Sequence, residues 1–301
     1  MGYMVDGVYH VGDDVTATLP SGEFERSRST VRNRIGDADF PAEEGRYHLF
    51  VAWNCPWAHR TLLLRALKRL DHITVSYALP NRTDQGWVFD EGGDPLLGAR
   101  AVHEVYSADP MGYTGRLTVP VLWDKIHGRM VSNESADIVR MLNDAFDGPD
   151  LAPAKLHNQI DDWNTLIYGS VNNGVYRAGF ASTQDAYEKA AVEVFETLDR
   201  IDAHLAENRY LCGDQFTEAD LRLFPTLARF DVAYHYAFRC NLKKLSDYAH
   251  LWPYAKTIYA MPGVAETVRF DIYKRGYFSA SEKRNPLGII PIGPTIDWGM
   301  G

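Results

Sequence analysis

The chain has 301 residues, 46% hydrophobic and 24% charged, which is ordinary for globular protein and long enough for two domains with real cores. A formal net charge of -9 argues against a nucleic-acid or anionic-membrane partner, and no apolar run approaches the roughly 18 residues needed to span a bilayer. Cys55, Cys212 and Cys240 are widely spaced and odd in number, which fits a reducing cytoplasm better than a disulfide framework or a zinc site. The start of the chain, with Asp6, Asp13 and Asp14, is unlike a secretory signal. One basic cluster, Arg26, Arg28, Arg32 and Arg34, lacks the interleaved aromatics of a nucleic-acid arm.

Residues 1–45, rich in Gly, Asp, Ser and Arg, read as an extended N-terminal arm. The pattern then becomes a strand over Tyr47–Ala52, a helix over Trp57–Leu70 and a strand over Ile73–Ala78, a βαβ unit with a parallel pair. Between first strand and helix lies Trp53-Asn54-Cys55-Pro56-Trp57-Ala58-His59-Arg60. A Cys followed by Pro at a helix start sets one sulfur where unpaired N–H groups and the dipole favour a thiolate, and Pro56 suits a turn that needs no donor. The fourth position of this turn is Ala58, not a second Cys, so the chemistry open to it is that of one thiol pairing with a small-molecule thiol. On Cys-Pro alone, a buried structural cysteine is an equal reading.

Residues 80–116 show no sustained period and read as a long insert, of the kind that is usually functional in a compact domain. Thr118-Val119-Pro120-Val121-Leu122-Trp123 predicts a strand entered through a proline, where a cis bond is plausible. A turn at His127-Gly128-Arg129, a short strand at Met130-Val131 and a helix over Ala136–Phe146 complete the β-α-β, β-β-α order of a thioredoxin fold over 46–147. After the linker Asp147-Gly148-Pro149-Asp150, helical spacing appears near 155–169, 185–207, 218–236 and 248–260, giving a helical domain over 155–270. Phe216-Thr217-Glu218-Ala219-Asp220-Leu221 reads as a capping box with its hydrophobic staple. Residues 271–301 read as an ordered tail, closed by the proline-rich apolar stretch Asn285 to Pro294. The fold class is therefore α/β plus all-α: a thioredoxin-like domain followed by an all-helical domain.

A thioredoxin-like half with Thr-Val-Pro and Asn-Glu-Ser, followed by a helical half with that capping box, resembles a glutathione transferase. Asn54 to Arg60, Gly86-Trp87, Thr118 to Lys125, Asn133 to Asn143, Asn172 to Ala181, Arg229-Phe230-Asp231 and the Asn-Pro-x-Gly-Ile tail are similar to the glutathionyl-hydroquinone reductases, the Xi class. The resemblance covers about Gly22 to Pro294.

It implies reductive removal of glutathione from glutathionyl-hydroquinones, with no tightly bound cofactor and with glutathione, or a mycothiol-like thiol, as co-substrate. Cys55 would be the nucleophile. Tyr176, Tyr234 and Tyr277 match the family's active-site tyrosines. Trp87 would line the thiol site, although the residue alone could equally be a hydrophobic plug. Thr118, Val119 and Pro120 would offer backbone to the cysteinyl part, and Glu134 and Ser135 would hold the γ-glutamyl end, where a simple helix cap is the plainer reading. The expected partners are the thiol and a quinol conjugate, with no nucleic acid, no membrane and no metal, in a homodimer. An Omega-like thiol transferase acting on dehydroascorbate and a non-catalytic binding protein stay open as alternatives. Where family tails carry a Ser-His pair before Asn-Pro, this chain has Ala280-Ser281, then Glu282-Lys283-Arg284, and Tyr277-Phe278 stands where a Tyr pair is commoner.

Overall fold

The computed structural model describes residues 2–12, 18–282 and 284–299; Asp13, Asp14 and Lys283, named above, lie outside the described residues. The chain divides into two compact units, Met1–Thr16 with Ser27–Pro149, and Ala17–Arg26 with Asp150–Gly301.

The first unit opens with a hairpin, β1 (Tyr3–Val5) and β2 (Val8–His10). Its turn residues Asp6 and Gly7 have φ of 47° and 78°, the left-handed pair that matches strand twist in a two-residue loop. The N-terminal segment is thus not an arm of uniform character. It carries a hairpin, and part of it belongs to the second unit.

The thioredoxin-like core follows: β3 (Tyr47–Ala52), α1 (Pro56–Leu67) and β4 (Thr74–Ala78), with β3 and β4 parallel. All six residues of β3 are buried, among them His48. Its ring nitrogens meet Thr74 Oγ1 at 2.7 Å and Ser76 Oγ at 2.9 Å, and burial pushes its pKa down to about 4, so the imidazole is neutral.

Between β4 and the rest of the sheet, the insert holds β5 (Arg82–Thr83), β6 (Gly86–Trp87), α2 (Val102–Ser107) and β7 (Gly115–Arg116). The buried Asp94 carboxylate organises its middle, accepting from the N–H groups of Leu96, Leu97 and Ala99 at 2.9, 3.0 and 2.7 Å. Side-chain capping of this kind leaves no hydrophobic period in a sequence.

Next come β8 (Val121–Asp124), β9 (Arg129–Ser132) and α3 (Ser135–Ala145). The main sheet runs β4-β3-β8-β9, a three-stranded one β2-β1-β7, and β5 pairs with β6. The Val119–Pro120 bond ahead of β8 is cis. At the far end of β8 the buried Asp124 receives Arg46 in a two-point grip, Nε to Oδ1 at 2.9 Å and Nη2 to Oδ2 at 2.6 Å. Burial opposes the Asp124 charge, yet Arg46 and two backbone N–H groups hold its carboxyl below the usual range.

The second unit is helical. Its elements are α4 (His157–Ile167), α5 (Gly174–Phe180), α6 (Gln184–Leu205), α7 (Glu218–Arg229), α8 (His235–Ala237), α9 (Leu251–Tyr259) and α10 (Phe270–Tyr277). Single wide turns, Tyr168–Asn172 and Phe230–Tyr234, join α4 to α5 and α7 to α8, a device often found at functional sites. The capping box closes on Asp220, whose buried carboxylate accepts from Thr217 N at 2.8 Å, Leu211 N at 2.9 Å and the Tyr254 hydroxyl at 2.8 Å. Near the chain end, Trp298 is buried against the rings of Trp252, Tyr259 and Phe270, at 4.8, 5.3 and 5.4 Å, and so anchors the tail.

Candidate functional site

In the first unit the strand-turn-helix sequence puts Cys55 at the N-cap of α1, with Pro56 in the first turn. The cap residue is extended, and its N–H bonds Ala52 O at 3.0 Å, which turns the chain sharply out of β3. Cys55 is half-buried, and its Sγ donates to the Val119 carbonyl at 3.3 Å. The sulfur therefore lies beside the cis-proline segment Thr118-Val119-Pro120. Thr118 is held there by the Tyr106 hydroxyl, which donates to its carbonyl at 2.8 Å.

Glu134 is the N-cap of α3, its Oε1 accepting from Ala136 N at 3.1 Å, so the plain capping role is realised. Ser135, in the first turn of α3, is buried and receives Arg60 Nη1 of α1 at 3.4 Å. Arg60 also lies over the Trp57 ring at 4.5 Å. This buried guanidinium ties the helix behind Cys55 to the helix start that bears Glu134 and Ser135. Its signal in the sequence was a lone Arg on an otherwise apolar helix face. Trp87 in β6 is buried, with Arg82 stacked over its ring at 4.2 Å.

In the second unit Tyr176 of α5, Tyr234 in the wide turn after α7 and Tyr277 at the end of α10 meet through their hydroxyls. Tyr277 Oη is 2.7 Å from Tyr176 Oη and 3.0 Å from Tyr234 Oη, so it bridges the other two. Burial pushes the phenols of Tyr234 and Tyr277 well above 10, which keeps both protonated and able to donate at neutral pH. Beneath them sits Arg229, fully buried, its guanidinium 3.7 Å over the Tyr273 ring. Burial works against this charge, which is met by the face of the Tyr273 ring and by the Pro225 carbonyl, the acceptor of Arg229 Nη1 at 2.9 Å. Its sequence signal was the Arg229-Phe230-Asp231 motif, in which no role for Arg229 could be read.

Cys212 and Cys240 are buried free thiols, and burial raises both, Cys240 to about 12. Neither suits nucleophilic work.

A helix-start cysteine against a cis-proline strand, in a chain that continues into a helical unit, defines the glutathione transferase class. The models of the class match here, the glutathione S-transferase N-terminal domain over residues 54–145 and the C-terminal domain over residues 184–257. The chain is 46% identical to the glutathionyl-hydroquinone reductase YqjG of Escherichia coli, across 99% of this chain and 96% of that one. It is 44% identical to the glutathionyl-hydroquinone reductase PcpF of Sphingobium chlorophenolicum, across 98% and 96%. The glutathione-bound structure of YqjG superposes with a TM-score of 0.89 at 42% identity, covering 99% of this chain and 97% of that one. The Xi transferase of Phanerochaete chrysosporium gives 0.88 at 43%, covering 92% and 94%. The chain belongs to the glutathionyl-hydroquinone reductases, the Xi class of glutathione transferases.

Proposed function

We propose that this protein is a thiol-dependent reductase that removes glutathione from glutathionyl-hydroquinones. What supports this most is Cys55 at the start of α1, its sulfur 3.3 Å from the Val119 carbonyl, in a chain 46% identical to a glutathionyl-hydroquinone reductase. The Cys55 thiolate attacks the glutathionyl sulfur of the conjugate and forms an S–S bond as the bond from sulfur to ring carbon breaks. The electron pair left on that carbon takes a proton, and the hydroquinone departs. Tyr176, Tyr234 and Tyr277, protonated and linked hydroxyl to hydroxyl, are the proton donors in this reading. A second glutathione, as thiolate, then attacks the mixed disulfide, releasing oxidised glutathione and regenerating Cys55; the proton it gives up restores the donor. Glutathione is thus a co-substrate, held by Trp87, by the backbone of Thr118, Val119 and Pro120, and by Glu134 and Ser135.

A Cys is required for this chemistry, because a hydroxyl only activates a bound thiol whereas a thiolate bonds to it. Steady-state turnover of glutathionyl-hydroquinone tests the reading, with Cys55→Ser expected to be inactive. Turnover near wild type in that variant would refute the nucleophile. The same assay with mycothiol in place of glutathione identifies the thiol.

The protein is proposed to act in the cytoplasm, a compartment suited to its free thiols, as a homodimer. A light-scattering mass of one chain, 34.0 kDa, at micromolar concentration would contradict the dimer.

A further inference from the structure

Around the linked tyrosines lies an aromatic tier that the reductase chemistry does not explain. Tyr176 stacks on Phe180 at 6.1 Å and 6°, and Phe180 on Phe24 at 5.2 Å and 26°. Two guanidiniums lie on this tier. Arg26 is 4.9 Å over Tyr176 and 5.5 Å over Phe24, with its Nε donating to Asn173 Oδ1 at 2.9 Å. Arg284 is 4.5 Å over Phe180, with Tyr176 and Tyr277 both within its electrostatic reach. Among the described residues Arg284 makes no ion pair.

Arg284 is nevertheless held in place. Ser281 and Asn285 exchange backbone hydrogen bonds at 3.1 and 2.9 Å, Arg284 N bonds Ser281 O at 3.2 Å, and Asn285 Nδ2 donates to Phe278 O at 2.6 Å. This turn presents a cation with no ion pair among the described residues beside two phenols, Tyr176 and Tyr277, in a chain whose net charge is -9. A guanidinium stacked on a ring keeps its edge free for a planar anion and recognises a carboxylate or sulfonate through paired N–H donors.

We propose that Arg284, assisted by Arg26, selects quinol conjugates whose ring carries an acidic substituent, a carboxylate or sulfonate. The inference rests on the reductase reading and names its substrate class. The ring lies on the aromatic tier within reach of the phenols, and the acid group meets the guanidinium edge.

The test compares kcat/KM for the glutathionyl conjugates of hydroquinone and of carboxyhydroquinone, in wild type, Arg284→Met, Arg284→Lys and Arg26→Met. Wild type is expected to favour the carboxylated conjugate. Arg284→Met should lower the ratio of carboxylated to plain kcat/KM about tenfold, the effect of losing one hydrogen bond to a charged group. Arg284→Lys should recover part of it, because the charge returns without the fork, and Arg26→Met should lower the ratio less. Calorimetric titration with the free hydroquinones reads the same preference without turnover. If wild type turns over neither conjugate, the reductase reading fails, and the titration alone decides the specificity. Equal losses for both substrates in Arg284→Met, or equal binding of the two hydroquinones by wild type, would overturn the inference.

Discussion

Replacing Tyr277 by Phe removes one oxygen and no carbon, and that oxygen is the bridge of the tyrosine cluster. Two hydrogen bonds disappear, those of 2.7 Å to Tyr176 and 3.0 Å to Tyr234. Each such bond is worth about 0.5–1.5 kcal/mol net, and a buried hydroxyl stripped of its partner costs about 1–3 kcal/mol. Tyr234 is fully buried, so the penalty falls chiefly there. The expected loss of unfolding free energy is therefore about 2–3 kcal/mol. Catalysis should suffer separately. A positioned proton donor contributes about 10²–10⁴ in rate, and because two phenols remain, kcat for glutathionyl-hydroquinone should fall toward the lower end, about 100-fold. Urea unfolding and steady-state turnover on the same preparation measure both. Tyr254→Phe is the control, since it removes a buried hydroxyl bond of 2.8 Å to Asp220 and should cost stability without touching the turnover of the folded enzyme. If Tyr277→Phe loses less than about 0.5 kcal/mol, the size of a neutral surface change, and keeps its turnover, the cluster is neither a structural bridge nor a proton donor.

Further outcomes follow from buried polar groups. His48 binds no proton in the folded state until about pH 4, whereas an unfolded histidine takes one near its ordinary value of 6.5. Stability contributed by the neutral ring is thus full above about pH 6.5 and falls as pH drops toward 4, by about 3 kcal/mol in total, in urea titrations repeated across that range. A His48→Leu variant showing the same slope would remove His48 as the cause. Asp220→Ala strips three neighbours of a buried acceptor and should destabilise by about 3–5 kcal/mol, read by urea unfolding. An effect below 1 kcal/mol, about the value of one net hydrogen bond, would mean the box does not hold α7. Asp124→Asn should cost a similar amount, about 3–5 kcal/mol, by leaving the buried Arg46 guanidinium with only the longer, exposed pair to Glu43 at 3.4 Å. A Tm unchanged from wild type would contradict that.

The main sheet and its order were legible because strand period, Pro120 and the apolar face of α1 agree with one another. The capping box at Thr217 and Asp220 was legible for the same reason: side chain, spacing and staple point to one helix start. The hairpin over Tyr3–His10 was written in Val5-Asp6-Gly7-Val8 but lost among the Gly and Asp of the surrounding segment. Helix α5 hides because it is short, seven residues, and entered through a wide turn that shifts the helical period. Helix α10, eight residues with Arg269 as its N-cap, offers no usual capping residue to mark its start. In the site, Cys55 could be read because Cys-Pro at a strand-helix turn has local physics. The meeting of Tyr176, Tyr234 and Tyr277 could not, since each is 43 or 101 residues from its hydrogen-bonded partner and tyrosine is common throughout the chain. Arg60, Arg229 and Arg284 escaped for a related reason: a buried or stacked guanidinium is defined by what surrounds it, not by its neighbours in sequence.

In the proposed reaction Cys55 itself carries the glutathionyl group. Mixing the protein with glutathionyl-hydroquinone in the absence of free glutathione, followed by acid quench and intact-mass and peptide analysis, tests it directly. One glutathionyl adduct per chain is expected, located on Cys55, reversed by thiol, and matched by one equivalent of hydroquinone released. Hydroquinone release without an adduct, or an adduct on Cys212 or Cys240, would contradict it.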